Sequence, residues 1–338
     1  MLPRVRTSAL LIGLLMLAPA AAAARTGMGA SAPSGAPRAQ IQRLDFAGSR
    51  ILLALDPEEF KLSGEEIADW VLRSARATAT FFGRFPVAEV NIAIDAVAGD
   101  EVTEGVTQAA PGPEIRVAVG RFATRATLKR DNTMVHEMTH LAFPDIDDRH
   151  LWLHEGIATY VEVVARAQAL EITPAEAWGE FMDEIPQGLP QRGQGGLDDT
   201  PSEDRRYWGG ALFCLLADIE IRRRTENRFG LRDALRSVLA AGGTLSVTWD
   251  VERALSIADR AIGVPVLGAL FAKWNSEPVS VDLSALWERL GVERAGGGDA
   301  RLVESAALAG VRRAITDMPA RPLLLAGPSL LHEASRAR

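Results

Sequence analysis

Two histidines four residues apart are the part of this sequence best suited to chemistry. His136 and His140 flank Glu137 in the run HEMTH. Residues four apart lie on one face of an α-helix, so both imidazoles can aim at one point. Such a pair supplies half of a zinc site, and the intervening glutamate can reach a water molecule on the metal. The run therefore predicts two metal ligands, His136 and His140, and a general base, Glu137.

These residues must lie on a helix to work together, and the flanking sequence favours one. Asp131 or Asn132 can cap its start, because short polar side chains accept hydrogen bonds from the first free N–H groups of a helix. Pro144 can end it, since proline lacks the N–H that a helix interior needs. The positions that would pack against the rest of the protein are apolar: Met134, Val135, Met138, Leu141 and Ala142.

A candidate third ligand, Glu155, is separated from His140 by fourteen residues. The run WLHEGIATYVE, from Trp152, predicts a second helix with Glu155 in its first turns. Two histidines and one carboxylate leave one position of a tetrahedral zinc to water, which is typical of a catalytic site. Glu162, two turns further on the same face, is predicted to accept a hydrogen bond from a ligand imidazole. His154 points to another face, so we expect it near the site but not as a ligand.

These runs resemble the gluzincin clan of zinc metallopeptidases, most closely the branch holding the aminopeptidase N and glycyl aminopeptidase families. The resemblance rests on HEMTH, on WLHEGIATYVE and on a later run, YWGGAL, which begins at Tyr207. It implies one zinc ion per chain, with His136, His140 and Glu155 as ligands. It also implies that Glu137 is the base and that the Tyr207 hydroxyl stabilises the transition state.

The same resemblance implies a fold and an activity. The expected fold is α+β, a thermolysin-like zincin domain with a small mixed sheet and helices above the zinc and a mainly helical lobe below. The implied reaction is hydrolysis of a peptide bond, in a peptide or protein substrate, by a zinc-activated water. The resemblance covers about residues 41–292.

The residues that would contact substrate are not identified by the sequence. Aminopeptidases of the resembling branch usually carry a Gly-x-x-Glu-Asn-type strand motif, whereas GVTQ, at 105–108, stands in the comparable region here. Glu101 or Glu104 could supply a carboxylate in its place. A strand predicted at 115–119 is either a sheet edge that pairs with an extended peptide or an ordinary interior strand.

Three other interpretations of the motif remain open. The two histidines could be surface residues of a helix, although Glu155 and Tyr207 fall where the mechanism needs them. The domain could bind zinc without catalysis, although Glu137 is intact. The chain could also be a noncatalytic protein that keeps the zincin scaffold for binding or assembly in the cell envelope.

Composition excludes some classes of protein. With 47% hydrophobic and 24% charged residues the chain can bury a real core. Its formal net charge of −7 gives no indication of nucleic-acid binding. Cys214 is the single cysteine, so no intrachain disulfide can form, and its apolar neighbours indicate a small buried side chain.

The N-terminal residues predict export. A basic start, a short apolar core and small residues at 22–24 are typical of a cleavable signal peptide, predicted at 1–24. An uncleaved anchor is the alternative. Residues 25–40 are rich in Gly, Ala, Ser and Pro and predict a disordered linker. We therefore expect a secreted or periplasmic protein with no stable membrane span after cleavage; its oligomeric state is left open.

The rest of the chain divides by its predicted elements. Residues 41–143 are predicted to contain the sheet, 144–292 to be helical, and 293–338 to form a C-terminal tail. A polar, Gly- and Pro-rich run at 187–204 predicts a long surface loop, and 99–113 predicts another. His150, in the charged turn between the two helices of the motif, is expected to be exposed to solvent. Helices are predicted at 64–82, 207–224, 231–240, 251–261, 264–274 and 283–290. Ser63 and Glu66 can form a capping box at the start of the first of these.

Overall fold

The computed structural model describes residues 40–295 and 298–318. Within these ranges a mixed β-sheet comes first in the chain and a mainly helical part follows. This confirms the prediction of a mixed sheet combined with helices. The predicted signal peptide, almost all of the predicted linker and the end of the predicted tail lie outside the described residues.

The sheet has five strands in the described part of the chain. They are β1 (Gln40–Phe46), β2 (Ser49–Leu55), β3 (Glu89–Val97), β4 (Val102–Gln108) and β5 (Glu114–Gly120). Their spatial order is β1-β2-β3-β5-β4. The pairs β2–β3 and β3–β5 are parallel, and the outer pairs β1–β2 and β4–β5 are antiparallel.

The strand predicted at 115–119 is an interior strand and not an edge strand, which were the two alternatives left open by the sequence. The strand predicted at 115–119 is β5, which lies inside the sheet between β3 and β4. The edge strand β4 forms within 99–113, so the prediction of a loop there was wrong for residues 102–108. Gly105 and the polar residues around it break the apolar alternation that predicts a strand, and pairing with β5 holds β4 in place.

The first helix, α1 (Gly64–Phe82), links β2 to β3 and packs against the sheet. Parallel strands need such a crossover, because a tight turn can join only antiparallel strands. The predicted capping box is confirmed: the Glu66 N–H donates to Ser63 Oγ at 3.2 Å and the Ser63 N–H donates to Glu66 Oε2 at 2.7 Å. Between helix and sheet lies a core that includes Trp70, Ile51, Leu53, Ile92 and Val117.

Ten further helices follow in the described residues. They are α2 (Arg125–Arg130), α3 (Thr133–His140), α4 (Leu151–Gln168), α5 (Pro174–Glu184), α6 (Gly210–Arg224), α7 (Leu231–Ala240), α8 (Val251–Ile262), α9 (Leu267–Trp274), α10 (Leu283–Leu290) and α11 (Ala309–Thr316). The helices predicted from residue 207 onward are confirmed to within about three residues at each end. No helix among the described residues is long and apolar enough to cross a membrane.

The helix α4 runs through the middle of the helical part. Almost all its residues are buried, and it contacts α1, α3 and α6. A helix covered on all sides is expected to be apolar all round. The buried polar residues of α4 are therefore exceptions that need partners, and three of them are His154, Glu162 and Arg166.

The segment predicted to be a C-terminal tail contains regular structure. A short hairpin joins β6 (Val292–Arg294) and β7 (Ala300–Leu302), and α11 follows. Val311 and Ile315 of α11 belong to the core of the helical part, and the buried Arg312 donates to the carbonyls of Leu290 and Gly291 at 2.9 and 2.8 Å. Residues 298–318 of the predicted tail therefore pack with the helical part.

The loop at 187–204 is tied to the domain. Asp198 accepts a hydrogen bond from Trp152 Nε1 at 2.6 Å and lies 2.9 Å from His150 Nδ1. Arg205 donates to the Gly195 carbonyl at 2.7 Å. His150 is buried by these contacts, so the expectation that it is exposed to solvent was wrong.

Candidate metal centre and active site

The start of α3 is fixed by Asp131. Its carboxylate accepts from the N–H groups of Thr133 and Met134 at 3.1 and 3.2 Å. Asn132 holds the N-cap position, but its side chain makes no capping hydrogen bond, so the Asp131 side chain satisfies the first N–H groups of the helix. The same carboxylate accepts from Trp70 Nε1 of α1 at 3.1 Å. The helix that carries the two histidines is thereby anchored to the helix that covers the sheet.

The three predicted ligands converge between α3 and α4. Glu155 Oε2 lies 3.2 Å from His136 Nε2 and 3.6 Å from His140 Nε2. One nitrogen or oxygen donor atom from each of the three side chains lies within 4.8 Å of the other two. Within the part of the chain that the structure describes, this is the one group of three such residues that could hold a metal ion. Tetrahedral zinc ligands at their usual bond lengths lie roughly 3.3–3.6 Å apart. The nitrogen and oxygen donors and their spacing therefore fit a zinc ion.

The protonation states of two of these residues also suit a metal. Burial lowers the pKa of His140 to about 3, so its imidazole is neutral at neutral pH. Burial acts to raise the pKa of Glu155, but the neighbouring His140 and His136 outweigh it and lower that pKa to about 2. Neutral imidazole and ionised carboxylate are the forms that bind metal.

His154 contacts a ligand from the side away from the cluster. Its Nδ1 lies 2.8 Å from His140 Nδ1, and the two rings stack with centroids 4.9 Å apart. Burial lowers the pKa of His154, so this ring is neutral too. If His140 Nε2 keeps its lone pair for a metal, His140 Nδ1 carries the proton and donates a hydrogen bond to His154 Nδ1. His154 therefore lies near the three candidate ligands without being one of them, as the sequence predicts.

Glu162 does not occupy the place predicted for it. Its Oε1 accepts from Asn132 Nδ2 at 3.0 Å and its Oε2 from Arg166 at 3.1 Å, so the predicted hydrogen bond to a ligand imidazole is replaced by these two. The reason is that Asn132 and Arg166 satisfy both oxygens of this buried carboxylate. Glu162 instead joins α4 to the start of α3 and so aligns the two helices that carry the ligands.

Glu137 lies between α3 and the edge strand β4. The Thr107 hydroxyl lies 2.6 Å from Glu137 Oε2 and 3.0 Å from the Glu137 carbonyl oxygen. A Cβ atom on Gly105 would lie 2.7 Å from Glu137 Oε1, so the carboxylate packs directly against the strand. Burial raises the pKa of Glu137 to about 7, against the opposing effects of His136 and Thr107. A carboxyl group with that pKa is suited to accept and release a proton near neutral pH.

Tyr207 lies beside the cluster at the beginning of α6. It belongs to a π-helical turn, Arg205–Gly209, and its ring stacks on His136 with centroids 5.7 Å apart. Burial and the carboxylate of Glu155 raise the pKa of the Tyr207 hydroxyl, so it stays protonated and can donate. The other tyrosine, Tyr160, donates to Asp218 at 2.8 Å in the helical core.

Thr107, Asn132 and Arg166 are neighbours of the site that were not predicted from the sequence. The signal for Thr107 was present, because Val102, Thr103, Val106 and Thr107 make residues 102–107 rich in β-branched side chains that favour strands. Asn132 and Arg166 had no comparable signal. Of the two carboxylates suggested for substrate contact, Glu104 is exposed and points to the face of the sheet opposite to Gly105 and Glu137, and Glu101 precedes the strand.

Solved structures contain a similar fold. An aminopeptidase N family protein from Idiomarina loihiensis matches with a TM-score of 0.57 and 14% identity, over 75% of this chain and 49% of that one. The chain shares its fold with that protein. An M1 zinc metallopeptidase from Deinococcus radiodurans matches with a TM-score of 0.48 and 17% identity, over 73% of this chain and 53% of that one. The chain thus spans about half the length of each of these structures. No protein-family profile and no curated protein matches the sequence.

Proposed function

We propose that this chain is a zinc-dependent peptidase with a thermolysin-like arrangement of its site. The observation that carries the proposal is the convergence of the donor atoms of His136, His140 and Glu155, with Glu137 and Tyr207 beside them. These five groups come from three helices and from separate parts of the chain. The shared fold with an aminopeptidase N family protein supports the same reading.

Each side chain has a role that its surroundings allow. A zinc ion held by the three ligands would supply a Lewis acid that polarises the scissile carbonyl. Glu137, with a pKa near 7, would take a proton from the attacking water and deliver it to the leaving amine. The protonated Tyr207 hydroxyl would donate to the oxygen that gains negative charge in the transition state.

The sheet edge offers a place for the substrate chain. β4 is the last strand on its side of the sheet in the described residues and runs beside α3. An edge strand presents backbone N–H and C=O groups that an extended peptide can pair with. A peptide bound there would lie beside Glu137, the proposed base.

The expected place of action is outside the cytoplasm. This part of the proposal rests on the predicted signal peptide at 1–24. Expression of the full chain in a secreting host, followed by N-terminal sequencing of the exported product, tests it. Retention of residues 1–24 on a membrane-bound product would favour the uncleaved anchor instead.

A fluorogenic peptide library tests the activity. The purified protein should hydrolyse members of the library, a chelator should abolish the hydrolysis, and added zinc should restore it. Mass spectrometry of the products then distinguishes cleavage at peptide ends from cleavage within peptides. A zinc-loaded protein that cleaves no peptide would refute the peptidase proposal and favour a noncatalytic zincin-scaffold protein.

A further inference from the structure

The edge strand β4 holds the Glu137 carboxylate from two sides. The Thr107 hydroxyl lies 2.6 Å from Oε2, within the range of a hydroxyl that donates to an ionised carboxylate. The Glu137 carbonyl lies farther from that hydroxyl, at 3.0 Å, and its oxygen is uncharged. Because a hydroxyl has one proton to donate, the shorter contact to the charged oxygen is the favoured one.

The other side of the carboxylate faces Gly105. A Cβ atom there would lie 2.6 Å from Glu137 Cγ and 2.7 Å from Oε1, closer than a side chain could sit without displacing the glutamate. Gly105 and Thr107 are two residues apart on one strand, so both face the same side of the sheet. The strand thus confines Oε1 by contact and holds Oε2 by a hydrogen bond.

The pairing of β4 fixes where these two residues lie. Gly105 pairs with Val117 and Thr107 with Ile115 of β5, both fully buried in the core beneath the sheet. The strand is irregular at Val102 and Glu104, before this point, and regular from Gly105 onward. The Thr107 hydroxyl is therefore held by the sheet and not by a free loop.

We infer that Thr107 is a positioning residue for the reaction: its hydroxyl holds the Glu137 carboxylate in the orientation that lets it take the proton of the attacking water. This inference rests on the proposed peptidase function. Without the hydroxyl, Glu137 can rotate about its side-chain bonds within the space beside β4. Small errors in the placement of a reacting group can cost about 10²-fold in rate.

Thr107→Val tests the role, because it keeps the shape of the side chain and removes the hydroxyl. The expected result is a fall in kcat of about 10- to 100-fold with KM changed little, and with zinc content and thermal unfolding close to wild type. Thr107→Ser keeps the hydroxyl and should restore most of the rate. Thr78→Val is the matched control: its buried hydroxyl on α1 donates to the Ser74 carbonyl of the same helix at 3.1 Å, so its loss should leave kcat unchanged.

A double variant shows whether the effect passes through Glu137. In a Glu137→Gln background the Thr107→Val change should cause little further loss, because residues that act as one unit are not additive. Wild-type kcat in Thr107→Val, or the same fold-loss with and without Glu137, would overturn the inference. If Thr107→Val does not fold, the smaller Thr107→Ala replaces it with the same expected outcomes.

Crystal structures separate this inference from the proposed function. Thr107→Val should show the Glu137 carboxylate rotated away from its wild-type position, and Thr107→Ser should show it in place. If wild type cleaves no peptide, the peptidase proposal fails, and these structures still test the contact. An unmoved carboxylate in Thr107→Val would overturn the positioning role whatever the activity.

Discussion

Gly156 of α4 and Gly210 of α6 meet backbone to backbone. A Cβ atom on Gly210 would lie 2.6 Å from the Gly156 Cα, and one on Gly156 would lie 2.3 Å from the Gly210 Cα. Real Cβ atoms do not approach so closely, so both positions require glycine. Gly156 follows the candidate ligand Glu155, and Gly210 lies three residues after Tyr207. This contact between the two helices is what brings Tyr207 close to the three candidate ligands.

Gly210→Ala should therefore weaken both fold and site. We expect the free energy of unfolding to fall by about 1–3 kcal/mol, because the added methyl forces the helices apart. We expect kcat to fall as well, because the turn that carries Tyr207 moves with α6. Denaturant unfolding and steady-state kinetics measure the two effects. Gly310→Ala is the control, since a methyl group in α11 would meet only one atom, at 3.9 Å, and should leave kcat unchanged.

Loss of a candidate ligand should remove the metal. His140→Ala and Glu155→Ala should each lower the zinc content well below one ion per chain, because the three donors serve one site. Elemental analysis of protein dialysed against free zinc measures this. Glu104→Ala, on the exposed face of β4, should bind as much zinc as wild type. Full zinc occupancy in either ligand variant would refute the assignment.

His154→Ala should weaken zinc binding without removing a ligand. The hydrogen bond at 2.8 Å holds the His140 ring and its tautomer, and losing such a partner typically costs about 10- to 100-fold in metal affinity. Competition with a chelator of known affinity measures the change. His154→Asn offers an amide oxygen as acceptor and should recover part of the affinity. Equal affinity in His154→Ala would mean that the contact does not orient His140.

Glu137→Gln should keep the fold and the zinc and lose most of the turnover. Glutamine has nearly the same shape but cannot accept a proton as the carboxylate does, and general-base catalysis contributes roughly 10²–10⁴-fold. Kinetics on metal-replete protein measure the loss. A kcat close to wild type in the zinc-loaded variant would mean that another group takes the proton.

Tyr207→Phe should lower kcat far more than it changes KM. The ring that stacks on His136 remains and only the hydroxyl is lost, which for one oxyanion donor costs about 10²–10³-fold in kcat. Tyr160→Phe is the matched control, because it deletes the buried hydroxyl that donates a hydrogen bond to Asp218. The free energy of unfolding should fall by about 1–3 kcal/mol, and kcat should stay unchanged. Unchanged kcat in Tyr207→Phe would make Tyr207 a packing residue.

The candidate centre could be predicted from sequence because most of it is local. His136 and His140 lie on the same face of a helix, and a capping residue at 131 or 132 with the apolar positions after it indicates that helix. Glu155 lies in the first turns of a second helix, α4, that the sequence also indicates. Periodicity likewise predicted α1 with its capping box and the helices after residue 207.

The surroundings of the centre depended on the tertiary structure. A strand lies at the edge of a sheet when another strand pairs with it on one side only, and distant segments decide this. In addition, β4 lacks the apolar alternation that indicates a strand in a sequence. Glu162 has the helical phase to face a ligand, yet Asn132, thirty residues earlier, takes one of its oxygens. Thr107 likewise reaches Glu137 across thirty residues. Local periodicity states which way a side chain points, but only the packing of distant segments decides which partner it meets there.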